Sequence, residues 1–142
     1  MIEVREVQDA EERRAAFALR AAVFVDEQGV PPELEIDEHD DDALHLVALD
    51  GARVVGTCRL VDGAGTAKFG RLVVAGDARG RGIGSALLGE AERRARALGR
   101  GRMTLTAQTA AMGLYERAGY TPRGEVFLDA GIKHVTMEKA LA

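Results

Sequence analysis

Arg79-Gly80-Arg81-Gly82-Ile83-Gly84-Ser85 joins an apolar run ending Leu72-Val73-Val74 to a long helical pattern from Ile83 to Leu98. A strand, a glycine-rich turn and a helix start therefore follow one another directly. Glycines at alternate positions let a ligand approach the backbone closely. The unpaired N–H groups of the first helical turn point out of the positive end of the helix. Such an end binds anions, and phosphate above all. Arg79 and Arg81 add full positive charge beside it.

Three phosphate loops share these ingredients, and spacing separates them. A P-loop read from Gly80 needs Gly and Lys where the chain has Ser85 and Ala86. A dinucleotide fingerprint needs a third glycine at Ser85 or Leu87, and an acid closing the next strand, which ends in Gln108. Neither fits.

The elements around the loop follow from periodicity. Ile2 to Val7 alternates as a first strand. Asp9 with Glu12 has capping-box spacing and opens a helix running to Ala21. Phe24 to Gly29 is expected to break that helix, and Pro31-Pro32 to forbid another. The acidic run Glu33 to Asp42 reads as a solvated loop. Hairpin signals at Asp50-Gly51, Asp62 to Gly65 and Asp129-Ala130-Gly131 separate further strands. Ile83, Leu87, Ala91, Ala95 and Leu98 share one face of the long helix, which Gly99 stops. The predicted order is β-α-β-β-β-α-β-α-β-β.

The spacing Arg79-x-x-Gly82-x-Gly84 resembles the pyrophosphate-binding motif of the GNAT superfamily of N-acetyltransferases. The stretch from Gln108 through Leu114-Tyr115-Glu116 to Tyr120 is similar to that family's second motif, with Gln where Asn is usual. Val23 to Pro31, Asp37, Asp40 and Gly131 to Met137 look like its ElaA-type branch. The resemblance covers essentially the whole chain. It implies an α/β (α+β) fold: a mixed, twisted sheet of seven strands, helices on both faces, splayed between the fourth and fifth strands.

It also implies acetyl-coenzyme A (acyl-coenzyme A) as co-substrate and a small-molecule or peptide amine as acceptor, with direct acetyl transfer between them. The loop from Arg79 to Ser85 would then hold the pyrophosphate. The pantetheine arm would pair like an extra strand with Leu72, Val73 and Val74. Gln108 stands where the family's Asn contacts the cofactor. Tyr115 stands where a family tyrosine stabilises the departing thiolate; the alternative is a plain core aromatic. Two rivals remain. One is an acyl-homoserine-lactone-synthase-like enzyme, although such chains are longer and carry tryptophan where this one has none. The other is a non-catalytic acyl-coenzyme A sensor or interaction module.

The acceptor side is less defined. Arg59, Arg71 and His134 interrupt apolar strands, and burying such groups is unfavourable unless they are paired. In one reading they line an acceptor pocket with Glu27 nearby as general base, and two arginines favour an anionic acceptor. In the other the arginines pair with Glu27, Asp37 or Asp40 and tie down the acidic loop. Cys58 reads as a small core residue, His39 as a loop residue and His45 as a strand-edge residue.

Composition sets the remaining bounds. The 142 residues suit one domain, and 46% hydrophobic content suffices for one core. A net charge of −4 favours neither nucleic acid nor an anionic membrane as partner. One cysteine, no signal-peptide pattern and no long apolar run point to the cytoplasm. No His/Cys cluster has metal-ligand spacing. A monomer and a homodimer are both compatible with the sequence.

Overall fold

The computed structural model describes residues 1–141. Seven strands form one mixed sheet: β1 (Ile2–Glu6), β2 (Leu44–Asp50), β3 (Arg53–Asp62), β4 (Thr66–Val74), β5 (Arg102–Gln108), β6 (Thr121–Asp129) and β7 (Ile132–Ala140). Their spatial order is β1-β2-β3-β4-β5-β7-β6. Every pairing is antiparallel except β4 with β5. The principal helices are α1 (Ala10–Arg20), the short α2 (Pro32–Glu35), α3 (Ile83–Ala97) and α4 (Met112–Arg117).

Strand β2 shows why both faces of the sheet are covered. All five central residues are buried. Leu46 and Ala48 join the core built with Ile83, Leu87 and Ala91 of α3, whereas Val47 and Leu49 pack with Ala16 and Phe17 of α1. A strand sandwiched this way reads as a continuous apolar run, which Leu46 to Leu49 is.

The opening between β4 and β5 has a local cause. The β3–β4 register slips between the pairs Thr57–Val73 and Arg59–Gly70, leaving one extra residue on β4. Arg71 absorbs it at φ +53°, a left-handed conformation uncommon for a residue with a β-carbon. Such a bulge bends its strand. Pairing of β4 with β5 is confined to Thr66–Arg102, Ala67–Met103 and Lys68–Thr104. Beyond Lys68 the strands part, and β5 continues paired with β7 through Gln108–His134.

Several local expectations are corrected. The helix does not break at Phe24: it continues as a π-helix over Ala21–Glu27, with the Gln28 amide donating to Val23 O at 3.1 Å. Pro32 opens α2 instead of preventing a helix, because a first-turn proline forfeits no intrahelical bond. Asp9 accepts from the Glu12 amide at 2.8 Å, but Glu12 reaches back to the Gln8 amide, one residue outside a standard capping box. His45 is buried rather than at an edge, because its ring packs edge-on against Phe17 of α1 at 5.3 Å. The acidic run is partly internal: Glu35 and Asp40 are buried.

Candidate active site

A cleft of about 690 Å³ occupies the splay. Leu72, Val73 and Val74 of β4 line one wall, and Leu105, Thr106 and Gln108 of β5 the other. On β3 the partners of Val73 and Val74 are Thr57 and Gly56. Their opposite edge faces the opening, where β5 has already turned away.

The glycine loop closes one end. Gly80 and Gly82 have φ of +81° and +75°, and no atom lies within 4 Å of where a β-carbon would sit on either. Gly82 is the N-cap of α3 and brings no side chain to cap it. The first intrahelical bond runs from the Ala86 amide to Gly82 O at 3.0 Å. The amides of Ile83, Gly84 and Ser85 therefore precede it, as free donors at the positive end of a 15-residue helix. Arg79 Nε donates to Val74 O at 3.1 Å, and Arg79 Nη2 donates to both carboxylate oxygens of Glu27, at 3.0 and 3.2 Å. Arg81 pairs with Asp50 at 3.2 Å. Gln108 Nε2 donates to Gln28 Oε1 at 2.8 Å, so adjacent residues at the end of the π-helix touch both lips of the cleft.

Tyr115 projects from α4 between Phe69 and Tyr120, edge-on to both rings at 6.3 and 6.1 Å. It is 7% exposed and lines the cleft. Its hydroxyl has no hydrogen-bond partner among the described residues and is not sealed from the cleft. Burial, with a smaller contribution from nearby Cys58, pushes the phenol pKa well above its usual value. The hydroxyl therefore keeps its proton at neutral pH. Burial likewise pushes the Cys58 thiol up, so Cys58 is an inert core residue.

At the other end of the cleft lie the two arginines that interrupt the strands. Arg59 and Arg71 both line the cleft, and both are ion-paired. Arg59 Nη1 donates to Asp37 at 2.7 Å and to Asp40 at 2.9 Å. Arg71 Nη2 donates to Asp37 at 3.1 Å, and Arg71 Nε to Glu35 O at 3.0 Å. Glu27 is bonded to Arg79 and takes no part. The centre of the cluster is Arg20, which sequence reasoning missed. It is 1% exposed and donates to Glu35 at 2.5 Å and to Asp40 at 2.7 and 3.1 Å. Its signal was its place one turn after Ala16, on the buried face of α1.

Three arginines thus meet three carboxylates, Glu35, Asp37 and Asp40. Arg59, then weaker contributions from Arg71 and the His39 amide, holds Asp37 below the usual carboxylate range. Burial alone would raise Asp40, but Arg20, the Asp37 amide and Arg59 outweigh it and hold this carboxyl far below that range. His45 Nε2 donates to Asp40 O at 2.9 Å, and burial lowers its pKa, so the ring stays neutral.

His134 Nδ1 bonds Ile132 O at 2.8 Å, and its ring stacks on Phe127. Beside it a side pocket of about 80 Å³ shares Phe24, Arg71, Gln108, Asp129 and His134 with the main cleft. Among the described residues no group of His, Cys, Asp or Glu is placed to hold a metal ion. No described helix is long and apolar enough to cross a membrane.

Comparison with known proteins converges on one family. Residues 6–141 match the acetyltransferase (GNAT) domain. An uncharacterized N-acetyltransferase of Bacillus subtilis, YjcF, is 40% identical over 132 residues, 91% of this chain and 93% of the relative. The crystal structure of an acyl-CoA N-acyltransferase from Pseudomonas aeruginosa superimposes with a TM-score of 0.86 at 31% identity, covering 99% of both chains. That of Escherichia coli ElaA does so with a TM-score of 0.86 at 26% identity, covering 98% of this chain and 99% of ElaA.

Proposed function

The chain belongs to the GNAT acetyltransferase family, and from that premise we propose that it carries an acetyl group from acetyl-coenzyme A directly to a primary amine of a small molecule or peptide. The observation that carries the proposal is the joining of two features in one cleft. An uncapped, glycine-fronted helix start lies at one end, and a free, protonated phenol lies within.

The free amides of Ile83, Gly84 and Ser85, fronted by Gly80 and Gly82 and flanked by Arg79 and Arg81, suit two adjacent phosphates. The unpaired edge of Leu72, Val73 and Val74 offers the pantetheine amides a strand to extend. Gln108 gives its N–H to Gln28, which leaves its carbonyl oxygen as an acceptor for an amide N–H of the donor. The thioester then lies near Tyr115.

The acceptor amine, once deprotonated, attacks the thioester carbonyl. The C–S bond breaks as the tetrahedral intermediate collapses, and the electron pair stays on sulfur. Tyr115 O–H donates a hydrogen bond to that developing thiolate, which takes up the proton shed by the attacking nitrogen as the intermediate collapses and leaves as the free thiol. Glu27 is the base that takes the first proton, the one that turns the acceptor ammonium into the attacking amine. Arg59, Arg71 and His134 form the acceptor wall. Arg59 is nearly buried against Asp37 and Asp40, whereas Arg71 is more open to the cleft and its Nη1 donates to no described residue, so Arg71 is the arginine placed to meet a substrate. Inert Cys58 offers no acyl-enzyme route, which favours direct transfer.

Tyr115→Phe is expected to lower kcat about 100-fold and to leave KM for acetyl-coenzyme A unchanged. A positioned acid contributes about 10²–10⁴-fold, and a thiolate, an easier leaving group than an amine, belongs at the low end. Steady-state kinetics of both enzymes with one amine checks this. An unchanged kcat would reduce Tyr115 to a packing residue.

A further inference from the structure

Two residues assigned above to different steps hold each other, Arg79 and Glu27. Arg79, which flanks the pyrophosphate site, has its Nη2 on both oxygens of the Glu27 carboxylate, at 3.0 and 3.2 Å. Arg79 Nε lies on Val74 O, at the end of the strand edge that the pantetheine arm would use. Each partner is about half exposed, 48% for Arg79 and 46% for Glu27, so the pair is weak and open to competition. A pyrophosphate brings more charge, and more acceptor oxygens in guanidinium geometry, than one carboxylate does.

We propose that Glu27 is a donor-released group: Arg79 sequesters its carboxylate until the coenzyme A pyrophosphate takes the guanidinium, and only then is the carboxylate free to meet the acceptor ammonium. This rests on the donor site proposed above. The release need not unseat the helix that carries Glu27. Its neighbour Gln28 accepts from Gln108 at 2.8 Å across the other lip, and the Gln28 amide is held on Val23 O inside the π-helix. One tether can open while the other keeps the segment over the cleft. The π-helical turn places consecutive side chains on opposite lips, and such turns recur at functional sites.

The consequence is a sign that neither a general base nor a structural residue would give. Removing the Glu27 charge tightens donor binding, because Arg79 no longer has to be won from it. The test is calorimetric titration of acetyl-coenzyme A, without turnover, into four proteins: wild type, Glu27→Gln, Arg79→Ala and the double variant. Glu27→Gln is expected to bind about 2- to 5-fold tighter than wild type, the range an exposed ion pair supports. The same change is expected to have no effect in the Arg79→Ala background. Equal or weaker binding by Glu27→Gln overturns the proposal. So does an equal gain in both backgrounds, which would mark a diffuse charge effect and not competition for Arg79. Wild type that does not bind acetyl-coenzyme A at all overturns the donor site itself, a separate failure.

Discussion

Gly82→Glu is expected to weaken acetyl-coenzyme A binding about 100-fold while the protein stays folded. The position is solvent-exposed, and a β-carbon there meets nothing within 4 Å, so no clash arises. Its φ of +75° makes any L side chain strained, by roughly 1–2 kcal/mol. That is small against the stability of about 5–15 kcal/mol usual for a domain. The functional loss comes from charge. A carboxylate added where free amides await a pyrophosphate repels it by about 4 kcal/mol at 4 Å near a protein surface. Screening and side-chain swing reduce this to about 2.7 kcal/mol, which is the 100-fold. Gly89→Glu is the control, because Gly89 is an exposed glycine on the same helix, away from the loop, with open space around it. Calorimetric titration of both variants should show the loss only at Gly82. Equal affinities would mean that the helix start does not hold the pyrophosphate.

Arg20→Met is expected to cost about 3–5 kcal/mol of folding stability, the range for removing one partner of a buried ion pair. Thermal unfolding should fall by about 10 °C or more. Methionine fills the space and keeps contact with the Phe17 ring, over which the guanidinium sits at 4.6 Å. The buried carboxylates of Glu35 and Asp40 nevertheless lose their main partner. Arg20→Lys should recover only part, because one ammonium cannot reproduce the guanidinium fork between two carboxylates. Acid checks the same cluster. Asp37 and Asp40 titrate lower in the folded chain than their ordinary value of about 3.9. Their stabilisation is complete above that value and is lost as pH falls through their folded values. The gap between wild type and Arg20→Met should therefore narrow below about pH 4. A gap that stays constant from pH 7 to pH 3 would contradict this account of the cluster.

The strands, α3 and the glycine loop were legible because each has a local signature: period two, period 3.6, or glycines at positions of positive φ. The splay between β4 and β5 entered through the family resemblance. Its physical cause, the bulge at Arg71, was hidden because arginine carries no signal for a left-handed conformation. The π-helix was missed for a similar reason. Phe24 to Gln28 has no helical period, and what holds it across the cleft is tertiary: Gln28 on Gln108. The acidic run misled because charge density alone suggests solvent. Glu35 and Asp40 are buried because Arg20 and Arg59, distant in sequence, neutralise them. Lining the cleft and ion pairing are not exclusive for Arg59 and Arg71, since one guanidinium can donate to a carboxylate and still form a wall.

Direct acetyl transfer to an amine in the β4–β5 cleft can be read from coenzyme A release from acetyl-coenzyme A across a panel of primary amines, with each product's mass recorded alongside. Thiol release should depend on the amine, be matched one to one by an N-acetylated product, and be about 100-fold slower with Tyr115→Phe. Tight acetyl-coenzyme A binding with no amine-dependent release across the panel would contradict it and indicate a sensor. Methylthioadenosine release from S-adenosylmethionine would contradict it in favour of lactone-synthase chemistry.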